Sequence, residues 1–93
     1  MKKYEVMFIM RPEVTEEKRN QDLEKFKNII ASEGEVLSVE DMGLRKLAYE
    51  IEKVREGYYY LINYKALNTL NQELERNMRI SDDIMRFIVV NQE

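Results

Sequence analysis

The sequence has no cysteine and no histidine, and these two absences remove more chemistry than any residue present adds. Without histidine the commonest general base is gone, and without either residue so are the usual nucleophile pairs and nearly all zinc sites. No metal, no cofactor and no catalytic residue is therefore expected. The lack of cysteine also means that no disulfide holds the fold, which suits the cytoplasm. One proline and three glycines are too few for a disordered or fibrous chain. Long apolar runs are missing as well, so no segment reads as a membrane-spanning helix. The opening "MKKYEVMFIM" imitates the charged start of a signal peptide, yet its apolar part is short and alternates with Glu5, so it reads as a strand. Nor is there an excess of cations: 15 Lys and Arg stand against 18 Asp and Glu. An acidic chain of this kind does not coat nucleic acid by bulk charge, so any such contact has to be local.

What is present is enough for a single core. The 93 residues, 44% hydrophobic and 35% charged, form one domain spanning 1–93. In "KYEVMFIM" the even positions Tyr4, Val6, Phe8 and Met10 make one apolar face and Met7 and Ile9 half of another, the pattern of an interior strand. Pro12 stops it. Thr15 with Glu16 and Glu17 starts a helix whose stripe is Leu23, Phe26, Ile29 and Ile30, while the polar run Glu16 to Asp22 predicts solvated or frayed first turns. Gly34 is expected to end that helix in a left-handed conformation. A period of two returns at Val36 and Ser38 and continues through Leu47, Tyr49 and Ile51, with a bulge expected at Gly43. "EKVREG" reads as a hairpin loop, and "YYYLINYKA" as a strand with Tyr58, Tyr60, Ile62 and Tyr64 inward and Tyr59 and Leu61 on the other face. Thr69 and Gln72 have capping-box spacing ahead of a helix bearing Leu70, Leu74 and Met78. Ser81 to Asp83 forms a turn before the last strand, Ile84 to Val90.

The order strand, helix, strand, strand, helix, strand is the split arrangement of an α+β, ferredoxin-like βαββαβ fold. The expected sheet is four-stranded and antiparallel in order 4132, with both helices on one face and the other face open. Small enzymes of this architecture cradle phosphate after the first strand, but "RPEVTE" there has no glycine, and Glu13, Glu16 and the following Glu17 repel an anion. The acid pairs Glu40–Asp41 and Asp82–Asp83 read as solvated surface. The cations Arg45 and Lys46 interrupt an acidic run and face opposite sides of a regular strand, while Arg86 in an apolar strand requires a carboxylate, an exposed edge or a ligand.

These residues resemble the bacterial small-subunit ribosomal protein six family from end to end. The opening "MKKYE", the central "EDMGLRKLAY", the pair Gly57–Tyr58, and the closing series Arg79, Ile80, Asp82, Arg86 and "FIVV" carry the resemblance. Glu50 stands where many members have proline. The resemblance implies a nonenzymatic component of the small subunit of the cytoplasmic ribosome. It would bind the central domain of 16S ribosomal RNA as a heterodimer with small-subunit ribosomal protein eighteen, with no membrane and no small-molecule substrate. Lys2, Lys3, Arg45, Lys46, Arg79 and Arg86 fall in the matching motifs and are the expected RNA contacts. Tyr49, Tyr59 and Leu61 are expected to meet RNA or the protein partner. The alternative is a small regulatory or ligand-binding module that dimerises through its open sheet face.

Overall fold

Alternation along the first strand decides the layering of the whole chain. A computed structural model describes residues 1–51 and 53–92. The elements run β1 (Lys2–Met10), α1 (Glu16–Glu33), β2 (Gly34–Ile51), β3 (Val54–Ala66), α2 (Asn68–Ile80) and β4 (Ile84–Asn91). The strands form one antiparallel sheet in the order β2-β3-β1-β4, the expected order read from the other edge. Tyr4, Val6, Phe8 and Met10 of β1 are buried beside Tyr60, Ile62 and Tyr64 of β3, against Phe26 and Ile30 of α1 and Leu70, Leu74 and Met78 of α2. Phe8 lies at the centre, stacked on Tyr60 at 5.3 Å and edge-on to Phe26 at 5.5 Å.

Polar side chains finish the layer. Tyr64 donates its hydroxyl to Asn71 Oδ1 at 2.5 Å and Tyr4 donates to Asn68 Oδ1 at 3.4 Å, so two core tyrosines anchor the start of α2. Burial pushes the Tyr64 hydroxyl well above its ordinary pKa, which keeps it a donor. These bonds replace the expected capping box: α2 begins after Leu67 with no side-chain cap, and Thr69 and Gln72 are exposed within the helix. α1 does have its expected cap, with Lys18 N donating to Thr15 Oγ1 at 3.2 Å.

Two other expectations fail for a shared reason, the close passage of neighbouring strands. Gly34 is extended, not left-handed, and opens β2, where a Cβ would collide with the Lys65 carbonyl oxygen of β3. Gly57 is not in a hairpin loop. It is buried within β3, which starts at Val54; Lys53 just before it has φ 67°, and residue 52 of the expected loop lies outside the described residues. A Cβ at Gly57 would sit 2.5 Å from Ile9 Cγ2 and 2.9 Å from the Met10 carbonyl oxygen. Gly57→Ala is therefore expected to destabilise the fold by about 1–3 kcal/mol, since backbone has to give way. Urea unfolding would show this as a lower midpoint at unchanged slope. Gly43 differs, having open space around it but a φ of 76°, and it sits at the predicted bulge between Asp41 and Gly43. There Asp41 Oδ1 accepts from Gly43 N at 2.9 Å.

Candidate nucleic-acid interface

The register of the strands lays the open face out in three rows. Asn63, Glu5 and Val90 make one; Leu61, Met7 and Ile88 the next; Tyr59, Ile9 and Arg86 the third. The middle row is apolar across three strands, and Ile88 is 53% exposed. Beyond the first row, Lys3 stands opposite Lys65. Two like charges directly across a strand pair repel, and an anion placed between them relieves the repulsion. Lys65, which with Asn63 sets the polar face expected of β3, is not among the motif cations, although alternation puts it on the same face as Tyr59 and Leu61; Glu35 across from it on β2 offsets part of its charge.

The β2–β3 hairpin outruns the rest of the sheet. β3 begins four residues before Tyr58 meets Met10, and the pairs Arg45↔Gly57, Lys46↔Glu56 and Ile51↔Val54 continue the ladder past β1. Adjacent positions on a strand alternate faces, so Arg45 and Lys46 diverge as expected. Arg45 Nε donates to the Met42 carbonyl at 3.0 Å. Glu50 lies 3.6 Å from Arg55 across the arm. The arm curls back so far that Tyr49, 59% exposed, has its ring 5.2 Å from the Arg86 guanidinium, although β2 and β4 are opposite edges of the sheet. A planar cation against an aromatic ring is a favourable pairing that leaves the guanidinium edge free to donate.

Arg86 thus meets its need through an exposed edge strand and an aromatic ring. Close by, Arg79 at the end of α2 lies over the Phe87 ring at 5.9 Å, and the two arginines line one groove with Met78, Ile84, Met85 and Phe87. Arg79, Arg86 and Tyr49 are therefore gathered at one end of the sheet, with Arg45 and Lys46 on the arm above it. Lys2 and Lys3 are not part of this group. They lie at the other end of β1, six residues from the level of Arg86, or about 20 Å. Lys2 lines a separate groove with Tyr4, Asn68, Asn71, Glu75, Val89 and Asn91. Tyr59 lies on the open face at the level of Arg86, and Leu61 one row from it toward Lys3, both half-buried by their neighbours.

Carboxylates are distributed unevenly among the cations. Lys18, Lys27, Arg55 and Arg76 each hold a carboxylate within 4.0 Å. Among the described residues none lies that close to Lys2, Lys3, Arg45, Lys46, Arg79 or Arg86. Such cations keep their donors for an outside anion. Also among the described residues, no group of three or more acidic side chains is placed to hold a metal, and no helix is long and apolar enough to cross a membrane.

The matched family model is that of ribosomal protein S6, over residues 3–91. Small ribosomal subunit protein bS6 of Clostridium novyi (strain NT) is 53% identical over 94 residues, covering 100% of this chain and 99% of that protein. Its counterpart in Alkaliphilus oremlandii (strain OhILAs) is 45% identical over 93 residues, again 100% of this chain and 99% of that one. The crystal structure of 30S ribosomal protein S6 from Thermotoga maritima superimposes with a TM-score of 0.93 at 40% identity, covering 98% of this chain and 87% of that one. The proteins of this family are structural parts of the ribosome, not enzymes. By its sequence over nearly its whole length and by its fold, the chain belongs to the ribosomal protein S6 family.

Proposed function

We propose that this protein is a structural component of the small subunit of the cytoplasmic ribosome and binds the central domain of 16S ribosomal RNA together with small-subunit ribosomal protein eighteen. The observation that carries the reading is the set of six motif cations with no carboxylate within 4.0 Å among the described residues, on a chain whose net charge is −3. Phosphate contacts at the Arg79–Arg86 groove and at the Lys2–Lys3 end supply local attraction, while the acidic body keeps intrinsic affinity low. A basic protein partner on the Leu61–Met7–Ile88 row would supply the remaining neutralisation, so binding is cooperative.

The test is a salt titration of the purified chain against a central-domain RNA fragment, with and without protein eighteen. Binding with the partner is expected to weaken with salt at a log–log slope of about −2 to −4, corresponding to a few neutralised phosphates. Without the partner it is expected to be far weaker. Salt-independent binding, or none with the partner present, would reject the reading. The same apolar row supports the competing reading, self-association of the chain, and sedimentation at increasing concentration separates the two. A stable dimer that excludes protein eighteen would favour the competitor.

A further inference from the structure

The first turns of α1, read from their polarity as solvated, contain a buried carboxyl. Asp22 is 6% exposed. Its Oδ1 accepts from Lys18 Nζ at 2.8 Å, and the same ammonium lies 2.9 Å from Asp83 Oδ2 in the turn between α2 and β4. Asp83 is accordingly not the solvated acid that its sequence context suggests. The other oxygen of Asp22, Oδ2, is shut off from solvent and has no hydrogen-bond donor. Asp83 faces it. Ionised carboxylates only accept, so two of them cannot satisfy one another unless a proton lies between them.

We propose that Asp22 and Asp83 share one proton in the folded protein, with Asp22 Oδ2–H donating to the Asp83 carboxylate, and that this bond, bridged by Lys18, is a proton-operated latch closing α1 onto the α2–β4 turn. The surrounding charges come from each packed element. Lys18 belongs to α1, and Arg11 to the connection after β1, from which its Nε donates to the Asp82 carbonyl at 2.9 Å and its backbone N to the Asp83 carbonyl at 2.9 Å. Asp82 is the exposed neighbour within the turn. The two carboxyls are pushed apart in acidity. Burial, then the neighbouring Asp83 carboxyl, raises Asp22, whereas Asp22, then Lys18 and Arg11, hold Asp83 low. Such a division marks one carboxyl of a pair as the donor.

The sign of the pH dependence follows. Asp22 holds its proton more tightly folded than unfolded, so its contribution is complete below the ordinary aspartate value and is lost as pH rises through its raised value. Asp83 contributes in the opposite sense, fully above the ordinary value and progressively less as pH falls through its depressed one. Base therefore opens the latch by removing the shared proton. The turn it holds lies between Arg79 and Arg86, so, where the RNA reading of those arginines holds, the latch also sets their spacing. Its existence does not depend on that reading.

Carboxyl-carbon NMR of the labelled full chain tests the latch without any substitution. Asp22 is expected to titrate above the ordinary aspartate range and Asp83 below it; an Asp22 midpoint within or below that range would overturn the proposal. Thermal melts across pH give a second test. The wild-type melting temperature is expected to fall as pH rises through the Asp22 midpoint. Asp22→Asn, whose amide donates in place of the proton, is expected to keep the wild-type value below that point and to show no fall above it. Asp22→Ala is expected to melt lower by about 5 °C or more, even below that point. If the Asn variant melts as low as the Ala variant, or retains the fall, no shared proton holds the turn.

Discussion

Changing both Arg79 and Arg86 to Gln is expected to weaken binding to the central-domain RNA fragment by about a hundredfold or more, measured with protein eighteen present at fixed moderate salt. A hydrogen bond from a charged donor contributes about 1.5–3 kcal/mol, and two such bonds remain worth a factor of this size after partial screening by salt. Both arginines line the same groove beside β4, and neither is spent on a carboxylate among the described residues. Gln gives up the guanidinium contacts with the Phe87 and Tyr49 rings, but both positions are exposed, where such contacts contribute about 0.5–1 kcal/mol each. The double variant is therefore expected to melt lower by no more than about 10 °C, and to be fully folded at the temperature of the binding measurement. A matching loss at Lys2 and Lys3 alone, with none at the arginine pair, would move the interface to the other end of β1. Equal binding by wild type and double variant at every salt concentration would remove the groove from the interface.

Phe8→Ala is expected to cost about 3–5 kcal/mol of unfolding free energy, measured by urea denaturation. The ring is fully buried and touches both layers, with Tyr60 beside it in the sheet and Phe26 above it on α1. The neighbouring Tyr58 is itself pinned, with the Arg19 guanidinium of α1 3.7 Å over its ring and donating to the Val14 carbonyl at 2.7 Å. The surroundings therefore cannot collapse cheaply into the space left behind. Since a domain of this size is stable by about 5–14 kcal/mol in total, the variant would lose a large share of its margin. A cost below about 1 kcal/mol would mean that the Tyr60 and Phe26 rings repack, contrary to their fixed geometry.

Strand alternation was readable because its period survives in the sequence itself. Tyr4, Val6, Phe8 and Met10 are buried together, as are Tyr60, Ile62 and Tyr64, and these sets alone imply the layer on which the helices rest. Gly43 was readable too, since it breaks a register that its neighbours keep. What the residues did not reveal was whatever depends on a second segment. Gly57 looks like a loop glycine until β3 is laid beside Ile9, and Gly34 looks like a helix stop until β3 is laid beside it. Asp22 reads as surface because its partner, Asp83, is 61 positions away. The candidate cations could be named through the family motifs, but not their division into two groups, which depends on strand register and on the curl of the arm toward Arg86.

The central place of β1 bears on how the chain comes to be folded. β1 is paired on one side with β3 and on the other with β4, both of which are made after it. Only the β2–β3 hairpin can zip locally. At synthesis rates of about 5–20 residues per second, β1 waits roughly 5–20 s, both faces largely apolar, before its second neighbour exists. During that interval Met7, Ile9 and Phe8 are open to any passing strand edge, a hazard that ends only when β4 docks. Lys2 and Lys3 at the head of β1 give that waiting segment its charge, and like charges on a bare strand keep copies apart. The same two lysines that are candidates for RNA contact in the finished protein therefore also guard its most exposed strand while the protein is being made.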